Sequence, residues 1–552
     1  MCLLKSLGLG LAIVFLGSGE VFGQEANGDN LAATWHFAGS AQLANNTNFD
    51  NVKKILTLDS SLEFQHLALN RFSSWLAKSL FAATNDATAP LRPLLDDVLS
   101  AESFWALGGT PNGPLNFMVA LRLEEKRAQA WNSALDKVIG GAEAGGAMAA
   151  TGVVPGRQWK LAGGQSFWTV YSKGWLLAGY GDDLGALRAQ YLEQLSQNGR
   201  PGPALNQTWL EGDLDWPRLA HWLPDFPRIL QLARAKISFT AQNQSLLMSA
   251  KVIYAKAMPW KFDPWRIPSN IIHDPLISFT AGQDIAAYLD PGEPLSQLTE
   301  NPLAGQYYVW ALGGPGEIGL QTYGAWPVAA ASNSLPRIAT EAAAAFNPAL
   351  KQMRAGELRW QPERQTLLWA NLGPMLFPTL QAAPETNGEY LLLSFFPVIP
   401  RKKPAPDDLF QQILGHTNLV YYDWEGTGQR LMQWQLLSGM LPVLPRTPAA
   451  PPPAASTNNP PGLPRPRPPL VVEENWLTGV TPMLVERETI TVITRTGPAE
   501  LTVVRQSPFA LTSLELVLLS HWLSGTGSPG INPYLLPAPA KVTGPGINAS
   551  GP

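Results

Sequence analysis

Short apolar runs alternate with polar positions along most of the chain, and the pattern predicts strands interleaved with amphipathic helices. In the stretch Phe104-Trp105-Ala106-Leu107-Gly108-Gly109 an apolar run stops at a glycine pair, and after a Pro/Gly turn the chain restarts at Asn116 to Leu123. This is the signature of a strand, a turn and a strand. The phrase returns as Val309-Trp310-Ala311-Leu312-Gly313-Gly314, followed by a second run from Leu320 to Val328. Helical spacing marks residues 50 to 101, with Leu62, Leu67, Leu69, Phe72, Leu76 and Leu80 at apolar positions and a break near Ala89-Pro90. A further helix is expected from Glu124 to Ile139, where Ala128, Trp131, Leu135 and Val138 form one stripe and Glu124-Glu125 suit the positive end of the dipole.

The remaining runs repeat the same grammar. Thr34 to Gly39 reads as a first strand, and strands follow at Gln158 to Leu161, Ser166 to Tyr171 and Trp175 to Tyr180. A helix from Asp182 to Gln197, a strand from Trp209 to Asp215, a short helix through Trp222 and a hairpin of Lys236 to Ala241 with Leu246 to Tyr254 close the first series. A second series opens at Leu276 to Gly282 and adds a helix from Leu335 to Phe346, with strands at Glu357 to Trp360, Leu367 to Asn371 and Glu389 to Phe396. Asp407-Asp408-Leu409 echoes Asp182-Asp183-Leu184, Asp423-Trp424 echoes Asp215-Trp216, Arg430 to Trp434 echoes Arg218 to Trp222, and the hairpin Thr489 to Thr494 with Glu500 to Arg505 echoes the earlier one. Repeated phrases in one order predict a duplication. The expected fold is α+β, with two homologous modules, each a mainly antiparallel sheet covered by helices, forming an internal pseudo-dimer. The expected boundaries are 30–256 for the first module, 257–275 for a linker and 276–524 for the second. The second carries a Pro-rich insertion at 442–469 with twelve prolines, which cannot build a core because proline lacks a donor, and 525–552 is expected to be a disordered tail.

Composition narrows the function. Charged residues are 15% of the chain and the net charge is −4, without a dense basic cluster, so the electrostatic footprint of a nucleic-acid binder is missing. Residues 1–23 read as a signal peptide, with Lys5, an apolar core from Leu7 to Leu16 and a cleavage site at Val21-Phe22-Gly23. The apolar core is short for a transmembrane helix, so membrane attachment is expected only through an uncleaved signal. Cys2, the one cysteine, lies inside that signal, which leaves an exported chain without thiols and points to a bacterial periplasm or cell surface.

Candidate chemistry is sparse. His36, His66, His221, His273, His416 and His521 stand singly, without the helix-face spacing of a zinc hydrolase, so neither metal nor cofactor is expected. Gly179-Tyr180-Gly181-Asp182-Asp183-Leu184-Gly185 has the glycines of a phosphate loop, yet two aspartates would stand where the phosphate sits. Glu211, Asp213 and Asp215 alternate along one strand and share a face. They read either as a cation or carboxylate-pair site with Trp209 or Trp216 as a sugar platform, or as a solvated sheet face with Asp215 capping the next helix. Aligning Asp215 with Asp423 would place Leu419 and Tyr421 opposite Glu211 and Asp213, leaving the capping residue alone repeated. The chain's 20 tryptophans are expected mainly in cores.

Two phrases, Val119-Ala120-Leu121-Arg122-Leu123-Glu124-Glu125-Lys126-Arg127-Ala128 and Gly174-Trp175-Leu176-Leu177-Ala178-Gly179, together with the element order, make the chain resemble an uncharacterised family of exported bacterial proteins. The resemblance implies no catalytic residues. The leading expectation is a non-enzymatic envelope protein that binds or scaffolds an unknown protein or cell-envelope polysaccharide. The alternatives are a carbohydrate-active enzyme or lectin using Glu211, Asp213 and Asp215, and a chaperone-like holder of apolar cargo. N-terminal sequencing of the protein recovered from a bacterial envelope is expected to begin at Gln24, and a chain that retains Met1 would overturn the cleavage reading.

Overall fold

The computed structural model describes residues 31–40, 46–79, 88–110, 115–139, 156–161, 165–181, 185–205, 207–219, 233–284, 305–313, 321–352, 355–372, 377–396, 403–440 and 469–524. The signal segment, the tail, Asp182 to Leu184, Trp222 and the Pro-rich insertion apart from Pro469 lie outside them.

Strands and helices are mixed, and one large antiparallel sheet of 19 strands organises the rest. Strands are numbered in chain order. From one edge the sheet runs β4 (Gly156–Lys160), β5 (Ser166–Ser172), β6 (Trp175–Tyr180), β3 (Asn116–Arg122), β2 (Ser103–Gly108) and β1 (Leu31–Phe37). It continues through β7 (Thr208–Asp215), β8 (Arg234–Gln242) and β9 (Ser245–Ile253). There it joins β19 (Glu500–Ser507), β18 (Glu488–Gly497), β17 (Leu419–Gly426) and β10 (Leu276–Gln283). Beyond lie β11 (Gln306–Leu312), β12 (Thr322–Pro327), β16 (Gly388–Ser394), β15 (Thr379–Glu385), β14 (Thr366–Ala370) and β13 (Glu357–Gln361) at the far edge.

The β9–β19 ladder sits in the middle, with Ser249 opposite Val504, flanked by Met248 opposite Arg505 and Ala250 opposite Val503. Register irregularities recur at matching distances from it. One lies in β1 between Leu31 and Ala33 and one in β10 between Leu276 and Ser278; another pair lies in β7 between Thr208 and Leu210 and in β17 between Leu419 and Tyr421.

Helices cover both faces because the strands between them are apolar on both sides. On one face, α3 (Thr88–Ser100) and α4 (Glu125–Ile139) bury Leu94, Trp131 and Leu135 against Leu121 and Leu176. Farther along that face, α7 (Ala331–Gln352) packs Leu335 against Val328 and Leu391. On the other face α5 (Gly185–Asn198) packs Tyr191 and Leu195 on Phe104, Met118 and Leu177, and α8 (Asp407–Leu414) packs Phe410 and Ile413 on Tyr308 and Trp310. Near the centre, α1 (Asp50–Leu56) and the single turn α6 (Trp216–Leu219) supply Val52, Trp216 and Leu219 to a core on β7, β8 and β9. A separate helical layer, α2 (Asp59–Ser79), α9 (Thr427–Met440), α10 (Pro469–Leu484) and α11 (Ser513–Ser524), shares a core of Phe64, Leu431, Trp476, Val480 and Leu516.

Three elements depart from the sequence reading. The helix α11 shows no clear apolar stripe, since Leu516, Val517, Leu518, Leu519 and Ser520 are all buried and a helix buried nearly all round has no polar face to reveal its period, whereas α10 does expose one side, at Glu474, Thr478, Pro482 and Met483, but that side is scarcely polar. Strand β15 was not foreseen between Leu367 to Asn371 and Glu389 to Phe396. The stretch 257–275, expected as a linker, packs on the second series of strands: Ile267 and Ile272 are buried in that core and the Tyr390 hydroxyl donates to the Arg266 carbonyl at 2.9 Å.

The repeated Trp-Ala-Leu phrase also proves to be out of step. Trp105 pairs with Trp35, stacks on it at 5.3 Å and joins the core under α4, whereas Trp310 pairs with Phe279 and joins the core under α8, on the opposite face. The irregularity in β1 lies beside Leu107 and that in β10 beside Ala311, one residue away from the match the phrase proposes. Because side chains alternate with a period of two, that single step reverses every face.

The central register is directly testable, because Ser249 and Val504 face each other across the ladder and Cys2 is the one cysteine of the sequence. Ser249→Cys with Val504→Cys is expected to form an intrachain disulfide on mild oxidation, since opposed Cβ atoms lie about 4.5–5.5 Å apart. Cross-linking instead between Leu247→Cys and Val504→Cys would show a different register.

Candidate functional site

The acidic strand is β7, and its carboxylates are engaged by the fold. Asp213 receives Nε and Nη2 of Arg234 at 2.7 and 2.6 Å, a two-point ion pair. Asp215 accepts the backbone N–H of Arg218 at 3.1 Å and so caps α6, as expected. Glu211 stands opposite His36 on one side and Ser238 on the other. The glycines of the phosphate-loop candidate are likewise explained by packing: a Cβ on Gly179 would lie 2.4 Å from the Trp168 ring, and Gly181, at φ +82°, leaves room for the Asn116 side chain.

A second acidic pair, which the sequence reading did not single out, lies on β17. Counting from the irregularities in β7 and β17, Glu211, Asp213 and Asp215 fall level with Tyr422, Trp424 and Gly426, while Asp423 and Glu425 fall level with Gly212 and Leu214. The Asp215-to-Asp423 match is therefore corrected by three residues, an odd step that moves the acids to the other face. On that face β7, β8 and β9 present Leu214, Ile237 and Ala250 to an apolar core. The levels on β17, β18 and β19 hold Asp423, Glu425, Thr491 and Arg505 instead.

This polar cluster is closed over by helices. Thr280 donates to Asp423 at 2.6 Å, and Ser513, the first residue of α11, donates its N–H to one Glu425 oxygen and sets its hydroxyl against the other, at 2.6 Å each. Arg505 donates to Thr491 at 2.9 Å and to Glu515 at 2.7 Å. Glu515 also accepts the Thr512 N–H at 2.8 Å while its own N–H goes to the Thr512 hydroxyl at 3.2 Å, the reciprocal box that starts α11. From α9, Arg430 donates to Thr322 at 3.1 Å and to Gln433, and its guanidinium lies 4.4 Å from the Trp434 ring centre. Asp423, Glu425, Arg430 and Glu515 are 9%, 5%, 5% and 1% exposed. Burial, reinforced by Asp423, pushes the Glu425 carboxyl up to about 8, and burial also raises Asp423. Burial lowers Arg430 to about 10, against the pull of Glu425 and Asp423. Arg505 suffers the same burial, but Glu515 outweighs it and holds its pKa above the ordinary value.

The first half has its own buried carboxylate. Glu102, next to the start of β2, accepts His36 Nε2 at 3.0 Å, Arg122 at 3.3 Å and Arg200, and forms part of the wall of a cleft of about 460 Å³ with Tyr171 and Glu124. Gly39, at φ +86°, lets the end of β1 approach this wall, since a Cβ there would lie 2.7 Å from the backbone of residues 100–102. His36 stacks on Phe104 with centroids 3.7 Å apart. Burial lowers the His36 pKa despite the Glu102 contact, so the imidazole is neutral and donates to an ionised carboxylate. Burial also opposes the charge on Glu102, but His36 and Arg200 outweigh it and its pKa is lowered. His36 and Glu102 are separated by 66 positions, so no local spacing could have joined them.

Neither cluster gathers a set of metal ligands among the described residues. The cleft wall also carries Arg122, whose side chain is 63% accessible. Arg505→Met, which would strand Glu515 and Asp423 in the interior, is expected to cost about 3–5 kcal/mol of stability in urea unfolding. A loss below about 1 kcal/mol would show that the cluster is solvated in solution. Against protein-family models, curated proteins and solved structures alike, the chain finds no match.

Proposed function

We propose that the chain is two copies of one α+β module, fused through the β9–β19 ladder into an internal pseudo-dimer, and that it acts in the bacterial envelope as a non-enzymatic binding or scaffolding protein. The central pairing supports the duplication. A two-fold through Ser249 and Val504 exchanges Met248–Arg505 with Ala250–Val503, carries β1 onto β10 and β7 onto β17 with their irregularities, and carries α4 onto α7 and α5 onto α8.

One observation carries the binding reading. Between α5 and α8 the sheet face formed by β7, β8, β9 and β19 meets no helix core among the described residues. Lys236, Ser238, Ser249, Lys251 and Thr502 stand half-buried on it and Val504 is 38% exposed. An open face several strands wide, at about 4.8 Å per strand, suits a macromolecular surface better than a small substrate. The ion pair of Asp213 with Arg234 at the border of this face speaks against a hydrolytic carboxylate pair, because the guanidinium occupies both carboxylate oxygens.

The test presents the purified full chain separately to envelope polysaccharide and to envelope proteins. Retention of one of them is expected to fall at least about tenfold when Ser249→Arg and Val504→Arg are combined, with circular dichroism unchanged. Turnover of glycosidic substrates that disappears in Asp213→Asn would instead establish an enzyme.

A further inference from the structure

The cluster beneath α11 contains an imbalance of charge. Three carboxylates, Asp423, Glu425 and Glu515, share one enclosed volume with two guanidiniums, Arg430 and Arg505. Among the described residues, the strands beside β17 bring no further compensating charge to Glu425: β10 places Ser278 opposite it and Thr280 beside Asp423, and β18 places Thr489 and Thr491. Tyr421, on the same strand, is itself held neutral by burial. In the helical layer Glu473 of α10 is already answered by Ser520 at 3.1 Å and His521 at 2.8 Å, with Arg71 of α2 nearby. Burying a net negative charge is costly, and the dipole at the N-terminus of α11 offsets only part of that cost. The balance closes when one carboxylate is neutral.

We propose that Glu425 carries a proton in the folded protein and that loss of this proton releases the N-terminus of α11 from the sheet, making the helical layer a proton-dependent latch. Glu425 is the carboxylate whose bonds permit it. Protonated, it accepts the Ser513 N–H through Oε1 and donates its own O–H through Oε2 to the Ser513 hydroxyl, both at the observed 2.6 Å. Asp423 instead lies under the influence of both Arg505 and Arg430, and Glu515 accepts from Arg505 and the Thr512 N–H. Deprotonation passes the proton to solvent hydroxide, turns the Ser513 hydroxyl into a second donor and leaves three negative charges against two positive. The ordinary carboxyl value is 4.5 and the folded value is about 8. The folded state therefore binds more protons between these values. The stability this contributes is full below the lower one and is lost as pH rises through the upper.

Two measurements on the full chain decide the matter. Infrared spectroscopy of the native protein at neutral pH is expected to show the C=O band of a buried carboxylic acid, which fades with a midpoint near 8 and is missing in Glu425→Gln. Hydrogen exchange at the amides of Ser513 to Leu516, corrected for its intrinsic pH dependence, is expected to rise about tenfold between about pH 7 and pH 9. The same amides should stay flat in Glu425→Gln, whose carboxamide reproduces the neutral donor and acceptor pair. Absence of the acid band at neutral pH overturns the protonation. Flat exchange in the native protein overturns the release.

Discussion

A single ladder in the middle of the chain's longest structure holds the architecture together. When β9 pairs with β19, two sets of strands that would each end in an exposed edge become one antiparallel sheet. An unpaired row of N–H and C=O groups invites other chains, and pairing the two inner edges with each other removes both liabilities at once. The pairing also fixes the faces. Once Ser249 stands opposite Val504, the alternation of side chains determines which residues of every strand meet α4 and α7 and which meet α5 and α8.

Against that shared lattice the two halves differ most under the central strands. Leu214, Ile237 and Ala250 pack in an apolar core with Trp216 and Leu219, needing no partner beyond shape. Glu425, Thr491 and Arg505 at the corresponding levels need donors, acceptors and opposite charges, and they recruit them from β10, β12, α9 and α11. Apolar residues of similar volume are often as stabilising as a buried ion pair, or more so, which makes the exchange of one for the other the feature most in need of a functional account. It ties the start of α11 to the sheet through specific bonds rather than through area alone.

The first half concentrates its interior charge elsewhere, at Glu102, where His36, Arg122 and Arg200 converge on one carboxylate beside a cleft. Here cations exceed anions at the contact, so the carboxylate stays ionised and the imidazole neutral. The contrast with Glu425 follows from the same rule applied to opposite surroundings: burial disfavours charge everywhere, and the neighbours decide whether it is tolerated.

Periodicity alone located nearly all of the strands and the helices that have one polar side, including α4 with its stripe of Ala128, Trp131, Leu135 and Val138 and the hairpin of β18 with β19. Composition and turn residues also delimited the two series of elements. The helix α11 escaped because it is buried nearly all round, α10 because its exposed side of Glu474, Thr478, Pro482 and Met483 is scarcely polar, and β15 because nothing local distinguishes it from a loop. Phrase matching misplaced the correspondence between the series, since Trp105 and Trp310 read alike but a one-residue step in a strand reverses the face. The candidate sites were decided wholly by tertiary structure: His36 meets Glu102 and Glu425 meets Ser513 only because the sheet brings distant strands and helix ends together. Charge balance in a buried volume depends on who the neighbours are, and that is information no single stretch of chain contains.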